Sequence, residues 1–222
     1  MTTDVAAVAE RLAEVRERIT RAGGERVSVV AVTKTFDADS VAAACAAGCE
    51  GVGESYAQEL VAKFRLVTGP VELHFIGRLQ SNKVRSIAPF VRVYETIDRE
   101  SLATEVARRA PGARVLVQVI TPDEAGHLDR GKGGCSLAEA PALVERCAAL
   151  GLVPLGAMTV GPTAGPSHVT RTGFARVRRL VDSLGLSVCS MGMSDDFEIA
   201  VAEGSTQVRV GSALFGARPP RH

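Results

Sequence analysis

No surplus of either charge marks this chain: 26 Lys and Arg stand against 25 Asp and Glu, a formal net charge of +1. A protein that grips nucleic acid or an anionic membrane through its overall field needs a basic excess. Neither partner is expected, and any bound anion must be met locally. A CxxC pair is also missing. The five cysteines, Cys45, Cys49, Cys135, Cys147 and Cys189, are odd in number and scattered, which argues against a disulfide framework or a metal site and for reduced thiols packed as small hydrophobes. No apolar run approaches the roughly 20 residues that span a bilayer, and the N-terminus carries acids and a helical pattern in place of a basic, apolar signal. The expected setting is the cytoplasm. Lysine is scarce as well: Lys34, Lys63, Lys83 and Lys132 stand against 22 arginines. Surface charge has gone to arginine, so a lysine closing an apolar run is informative.

Such a run is present. Val27 to Thr35, rich in Val and bounded by Gly23-Gly24 and Asp37, predicts a buried strand whose alternation puts Val30, Val32 and Lys34 on one face and Val29, Ala31 and Thr33 on the other. Before it, Val5, Val8, Leu12, Val15 and Ile19 recur at helical spacing behind a Thr3 cap. After it, strands are predicted at 51–54, 73–77, 91–97, 114–120, 152–159, 187–191 and 207–211, with helices between them. Asp98 and Ser194 are expected caps, Ser136 and Glu139 form a capping box, and loops fall at 121–135 and 160–170. Eight strands alternating with helices over 222 residues predict an α/β fold: a single (β/α)8 TIM barrel, one domain over 1–222, with an extra N-terminal helix. An open doubly wound sheet is the alternative.

Barrel chemistry collects where strands end. A lysine desolvated at such an end is a Schiff-base nucleophile. On the eighth strand, Val208 and Val210 face the helices, which leaves Gln207, Arg209 and Gly211 toward the lumen. A buried guanidinium requires a partner, either a strand-end acid such as Glu54 or an acceptor on a ligand. Gly211-Ser212 and Gly192-Met193-Ser194 offer backbone N–H groups beside hydroxyls, the donor set a phosphate requires, and Asp195-Asp196 are placed outward. An amine on strand 1 and an anion cradle across strands 7 and 8 describe a pocket for a phosphorylated carbonyl compound: a sugar phosphate in a lysine-dependent aldolase, or pyridoxal 5′-phosphate.

Six blocks, in order, make the chain resemble the pyridoxal phosphate homeostasis protein family. They are Ala31-Val32-Thr33-Lys34-Thr35, Gly53 to Glu59, His74 to Lys83, Gly156-Ala157-Met158-Thr159, Met191 to Asp196 and Val208 to Gly216; the likeness extends to Arg218. The resemblance implies a barrel similar to the N-terminal domain of alanine racemase, with Lys34 carrying pyridoxal 5′-phosphate as an internal aldimine. It also implies that Ser194, Gly211 and Ser212 hold the phosphate, that Arg209 faces the pyridine nitrogen, and that Met158 and Thr159 lie along the cofactor. Ser55 stands where the family usually has Asn, and Ser212 where it usually has Thr. His74, Gln80 and Asn82 match without an assigned role; His74 is equally a strand histidine satisfied inside the fold.

Arginine keeps its proton, so it leaves the ring nitrogen unprotonated and the ring a poor electron sink. Racemisation also requires a base on each face, and Tyr56 and Tyr94 are the only tyrosines. The expected function is intracellular vitamin B6 homeostasis: a monomer that binds pyridoxal phosphate and exchanges it with amines, amino acids and pyridoxal-phosphate-dependent apoenzymes, without robust turnover. The alternatives are a racemase of low activity and a lysine Schiff-base aldolase.

Overall fold

The computed structural model describes residues 3–122, 133–162 and 167–216, and in it the Val-rich run forms a strand shorter than its composition predicts. Strand β1 is Ser28–Val32. The chain then leaves the sheet in a turn closed by Phe36 N donating to Thr33 O at 3.1 Å. Within that turn Thr35 takes φ +72°, the one non-glycine residue with positive φ among those described.

Helix α1 (Val5–Arg21) precedes β1, and the order continues α2 (Ala38–Ala47), β2 (Gly51–Glu54), α3 (Ala57–Phe64), β3 (Leu73–Phe75), α4 (Ser81–Ile87), β4 (Val93–Ile97), α5 (Glu100–Arg109) and β5 (Arg114–Gln118). Then come α6 (Ala140–Ala149), β6 (Val153–Met158), α7 (Ser167–Ser183), β7 (Val188–Ser190), α8 (Phe197–Ala202), β8 (Gln207–Val210) and α9 (Ser212–Phe215). The strands form a closed barrel in sequence order. β8 pairs in parallel with β1, Val30 beside Arg209 and Ala31 beside Val210. The predicted (β/α)8 barrel with an extra N-terminal helix is therefore the observed architecture.

Strand parity divides the interior in two. Val29, Ala31, Val52, Leu73, Val115, Val117, Val208 and Val210 join the helix faces in one apolar core, where each buried aliphatic side chain contributes roughly 1.5–3 kcal/mol. Val30, Val32, Val93, Leu116 and Met158 are equally buried but lie outside that core, on the lumen side. Helix α1 packs against α2, α8 and α9, the helices that flank the pairing of β8 with β1. Its Arg11 donates to Leu214 O at 3.1 Å, and Arg18 pairs with Glu198 at 3.0 Å while lying 4.5 Å over the Phe197 ring.

Several caps differ from expectation. Asp4, not Thr3, caps α1 by accepting from Ala6 N at 2.9 Å. Arg99 occupies the N-cap position of α5, and Asp98 instead accepts from the Arg99 guanidinium at 2.6 Å. The Ser136–Glu139 box does form, with Ser136 N donating to Glu139 at 2.8 Å and Glu139 N to Ser136 Oγ at 3.3 Å. All five cysteines are free. Cys135, Cys147 and Cys189 are buried as expected, but Cys45 is exposed, because Val41 and Ala44 take the inner face of α2. Burial pushes the Cys135 and Cys189 thiols up to about 12, which keeps them protonated and inert. Among the described residues no helix is long and apolar enough to cross a membrane. Residues 123–132 of the first predicted loop and 163–166 of the second lie outside the described residues, as does Arg218, and the second loop is shorter than predicted because α7 already begins at Ser167.

Candidate functional site

Arg209 is 3% exposed and sits inside the barrel, as β8 parity predicts. Its Nη1 donates to Ser190 Oγ at 2.7 Å and its Nη2 to Thr159 O at 2.7 Å. Ser190 in turn donates to Glu95 at 2.6 Å. The other Glu95 oxygen accepts from Gln207 Nε2 at 2.8 Å and is bonded to His74 Nδ1 at 2.6 Å. Burial alone would push Glu95 up, but His74, then Arg209 and Ser190, outweigh it and hold the carboxyl below the usual range. Desolvation pushes the Arg209 guanidinium down, opposed by Glu95 and Asp196. One hydroxyl thus separates a buried cation from its counter-ion.

Glu54 is not that counter-ion. On β2 the residue two before it, Val52, faces the helices, and Glu54 follows the same parity. Glu54 accepts from Thr33 Oγ1 at 2.6 Å and from Lys63 Nζ at 2.5 Å, and Lys63 also donates to Thr33 O at 2.7 Å. Lys63 is only 5% exposed. Its ammonium reaches Glu59 at 3.2 Å, and Glu59 accepts from Thr35 N at 2.5 Å. This ionic cluster therefore clamps the left-handed residue next to Lys34. Lys34 itself is half-buried, two residues past the last residue of β1 on the Val30–Val32 parity.

The ends of β7 and β8 meet as the sequence predicts, though not by a helix cap. Ser194 does not cap α8; Asp196 stands at that position and accepts from Met193 N at 2.6 Å. The Ser194 hydroxyl instead lies 3.4 Å from both Gly211 N and Ala213 N. Asp195 is exposed, whereas Asp196 is half-buried and turns inward, its carboxylate lying where a Cβ on Gly161 would fall. Space is tight at Gly211: a Cβ there would come within 3.3 Å of Val32 O, so β8 leaves the barrel close against β1. Ser212 is exposed on the rim. Met158 and Thr159 are buried at the end of β6, with Thr159 N bonded to Ser190 O and its hydroxyl to Val119 O. Two amides meeting at the Ser194 hydroxyl, at the end of the strand that carries a buried guanidinium, form a donor set suited to a phosphate.

Ser55 stands apart. It is half-buried at the end of β2 and lines a separate cleft over β2–β4. Glu95, Ser190 and Lys63 are the residues that sequence reasoning missed. A glutamate within the apolar run Val93-Tyr94-Glu95-Thr96-Ile97 was a usable signal, and Lys63 shares the inward face of Leu60 at a three-residue step.

Residues 3–219 match the family described as alanine racemase, N-terminal domain. A pyridoxal phosphate homeostasis protein of Pseudomonas aeruginosa is 38% identical over 228 residues, covering 98% of this chain and 97% of its own length. One from Escherichia coli is 39% identical over 233 residues, covering 95% and 97% respectively. The solved structure of PipY from Synechococcus elongatus, with PLP bound, is similar at a TM-score of 0.80 and 30% identity, covering 94% of this chain and 100% of that one.

Proposed function

This chain belongs to the pyridoxal phosphate homeostasis protein family, and from that premise we propose that residues 1–222 form one domain that holds pyridoxal 5′-phosphate on Lys34 and passes it on. It does so as a cytoplasmic monomer, exchanging the cofactor with amines, amino acids and pyridoxal-phosphate-dependent apoenzymes. The observation that carries the reading is the convergence of Ser194, Gly211 and Ala213 on the rim that also holds Lys34, above the buried Arg209.

When bound, pyridoxal phosphate supplies an aldehyde that a primary amine attacks. Lys34 is the resident amine. Ser194, Ser212 and the Gly211 amide would hold the phosphate, and Met158 and Thr159 would supply the contacts along the ring; Ser55, expected to join them, lines the neighbouring cleft. Arg209 keeps its proton and would offer an N–H to the ring nitrogen, which would then stay unprotonated. Glu95, acting through Ser190, fixes the guanidinium in place. A ring nitrogen without a proton is a weak electron sink, which favours holding the cofactor over turning substrates over. Tyr94 supports this: it is fully buried and desolvation raises its hydroxyl, so it is not poised as a second base.

Loading the protein with pyridoxal phosphate, reducing with borohydride and mapping peptides tests the reading. The expected label lies on Lys34 and disappears in Lys34→Ala; a label on Lys63 or Lys83, or none, overturns it. The racemase and aldolase alternatives are tested separately, and sustained loss of optical activity from a single-enantiomer amino acid would overturn the carrier role.

A further inference from the structure

Beside the Lys34 rim, a second cleft of about 620 Å³ opens over the ends of β2, β3 and β4, lined among others by Ser55, Tyr56, Arg78, Gln80, Lys83 and Arg99. The volume falls within the roughly 300–1,000 Å³ of small-molecule sites. Its position obeys the rule that barrels gather ligands where strands end. The walls are fixed. A Cβ on Gly77 would lie 2.0 Å from Ser55 O, so the β2 and β3 exits are in direct backbone contact, and Thr96 Oγ1 ties Gly77 O at 2.7 Å.

The charges lining the cleft are unbalanced. Arg99 is matched: it pairs with Asp98 at 2.6 Å and donates to Leu79 O at 3.1 Å and Ser81 Oγ at 3.3 Å. Arg78 and the half-buried Lys83 have no ion pair and no side-chain hydrogen bond among the described residues. Asp98 is the only acid in the lining, and it is taken by Arg99. Two uncompensated cations, with Gln58 and Gln80 in the same lining, form a donor set complementary to an oxyanion. None of these side chains belongs to the phosphate cradle of β7 and β8.

We propose that this cleft binds the oxyanion of the small amine that relieves Lys34, a ring-sized or smaller primary amine bearing a carboxylate or a phosphate monoester. The identity of the ligand as an amine rests on the reading of Lys34 above; the oxyanion site rests on the cleft alone. Exchange requires no co-reactant: Lys34 nitrogen regains two protons as the incoming nitrogen replaces it on the aldehyde carbon and gives up its own two. Arg78 and Lys83 would hold the acceptor at strand exits next to that of β1, since Ser55 in the lining follows β2 and β2 pairs with the strand that leads to Lys34.

The test is calorimetric titration of the borohydride-reduced, cofactor-loaded protein, whose first phosphate site is filled, with phenyl phosphate, benzoate and neutral benzamide. One or both oxyanions are expected to bind and benzamide not, the stronger of the two naming the source. In R78Q/K83Q the affinity is expected to fall roughly tenfold or more, as loss of a charge-assisted hydrogen bond implies, while the label on Lys34 stays at wild-type level. Absence of binding, equal binding of benzamide, or an unchanged affinity in the double variant overturns the proposal. If no cofactor is retained, the reading of Lys34 has failed; the same titration of the unmodified protein then decides the oxyanion site by its response to R78Q/K83Q.

Discussion

Glu54 and Glu95 are both closed to solvent, and the barrel treats them in opposite ways. In the lumen, both Glu95 oxygens are engaged, by His74 and Gln207 on one side and Ser190 on the other, and its carboxyl is held below the usual range. Behind β2, one Glu54 oxygen takes both Lys63 and Thr33 while the other has no partner. Burial therefore wins, and the Glu54 carboxyl is pushed up despite Lys63. Burial alone does not fix the charge of a carboxylate; the number of donors reaching each oxygen decides it. The partners differ too, since Arg209 has no accessible neutral form, whereas Glu54 has one.

The largest effect should follow from Glu95→Gln, which strands that guanidinium without a counter-ion at a cost of roughly 3–5 kcal/mol in urea unfolding. Lys63→Met should cost less, about 1–3 kcal/mol, because Glu54 can take up a proton. Equal losses would show that the two clusters differ only in geometry. Stability measured against pH separates them further. Glu95, depressed in the fold, stabilises above the ordinary carboxylate value near 4.5 and loses that contribution as pH falls through its folded value. Glu54, raised in the fold, does the reverse, so stability declines as pH climbs from about 4.5 toward its folded value. Glu95→Gln should flatten the acid limb of the profile, and Glu54→Gln the limb above it; melts at a series of pH values read both. The smallest change is expected from Thr35→Gly. It relieves the φ of +72° and should raise stability by no more than about 1 kcal/mol, part of the relief being offset by the looser unfolded chain. A fall in melting temperature would mean that the turn carries no strain for the Glu59–Lys63 cluster to hold.

The sequence made the barrel legible because each strand is short, apolar and bounded by glycine or a capping residue. The inward placement of Arg209 followed from two flanking valines. Its partner did not, because Glu95 and Gln207 are 112 residues apart and meet only once the eight strands are in register. Of the two partners open to Arg209, Glu54 is ruled out for a related reason: position at a strand end says nothing about face, and its parity with Val52 turns it toward Lys63 on α3. Ser194 looked like a cap because it precedes a helix, yet the amides of another strand's exit claim its hydroxyl. His74 proved to be a satisfied strand histidine, bonded to Glu95.

Helix α1 lies across the join between β8 and β1, tied there through Leu214, Phe197 and Glu198. Its oily stripe of Val8, Leu12, Val15 and Ile19 therefore finds full cover only when α2 on one side and α8 and α9 on the other are all in place. Closure of the ring pairs β1 with β8, segments far apart in sequence, and long-separation pairing of this kind slows folding.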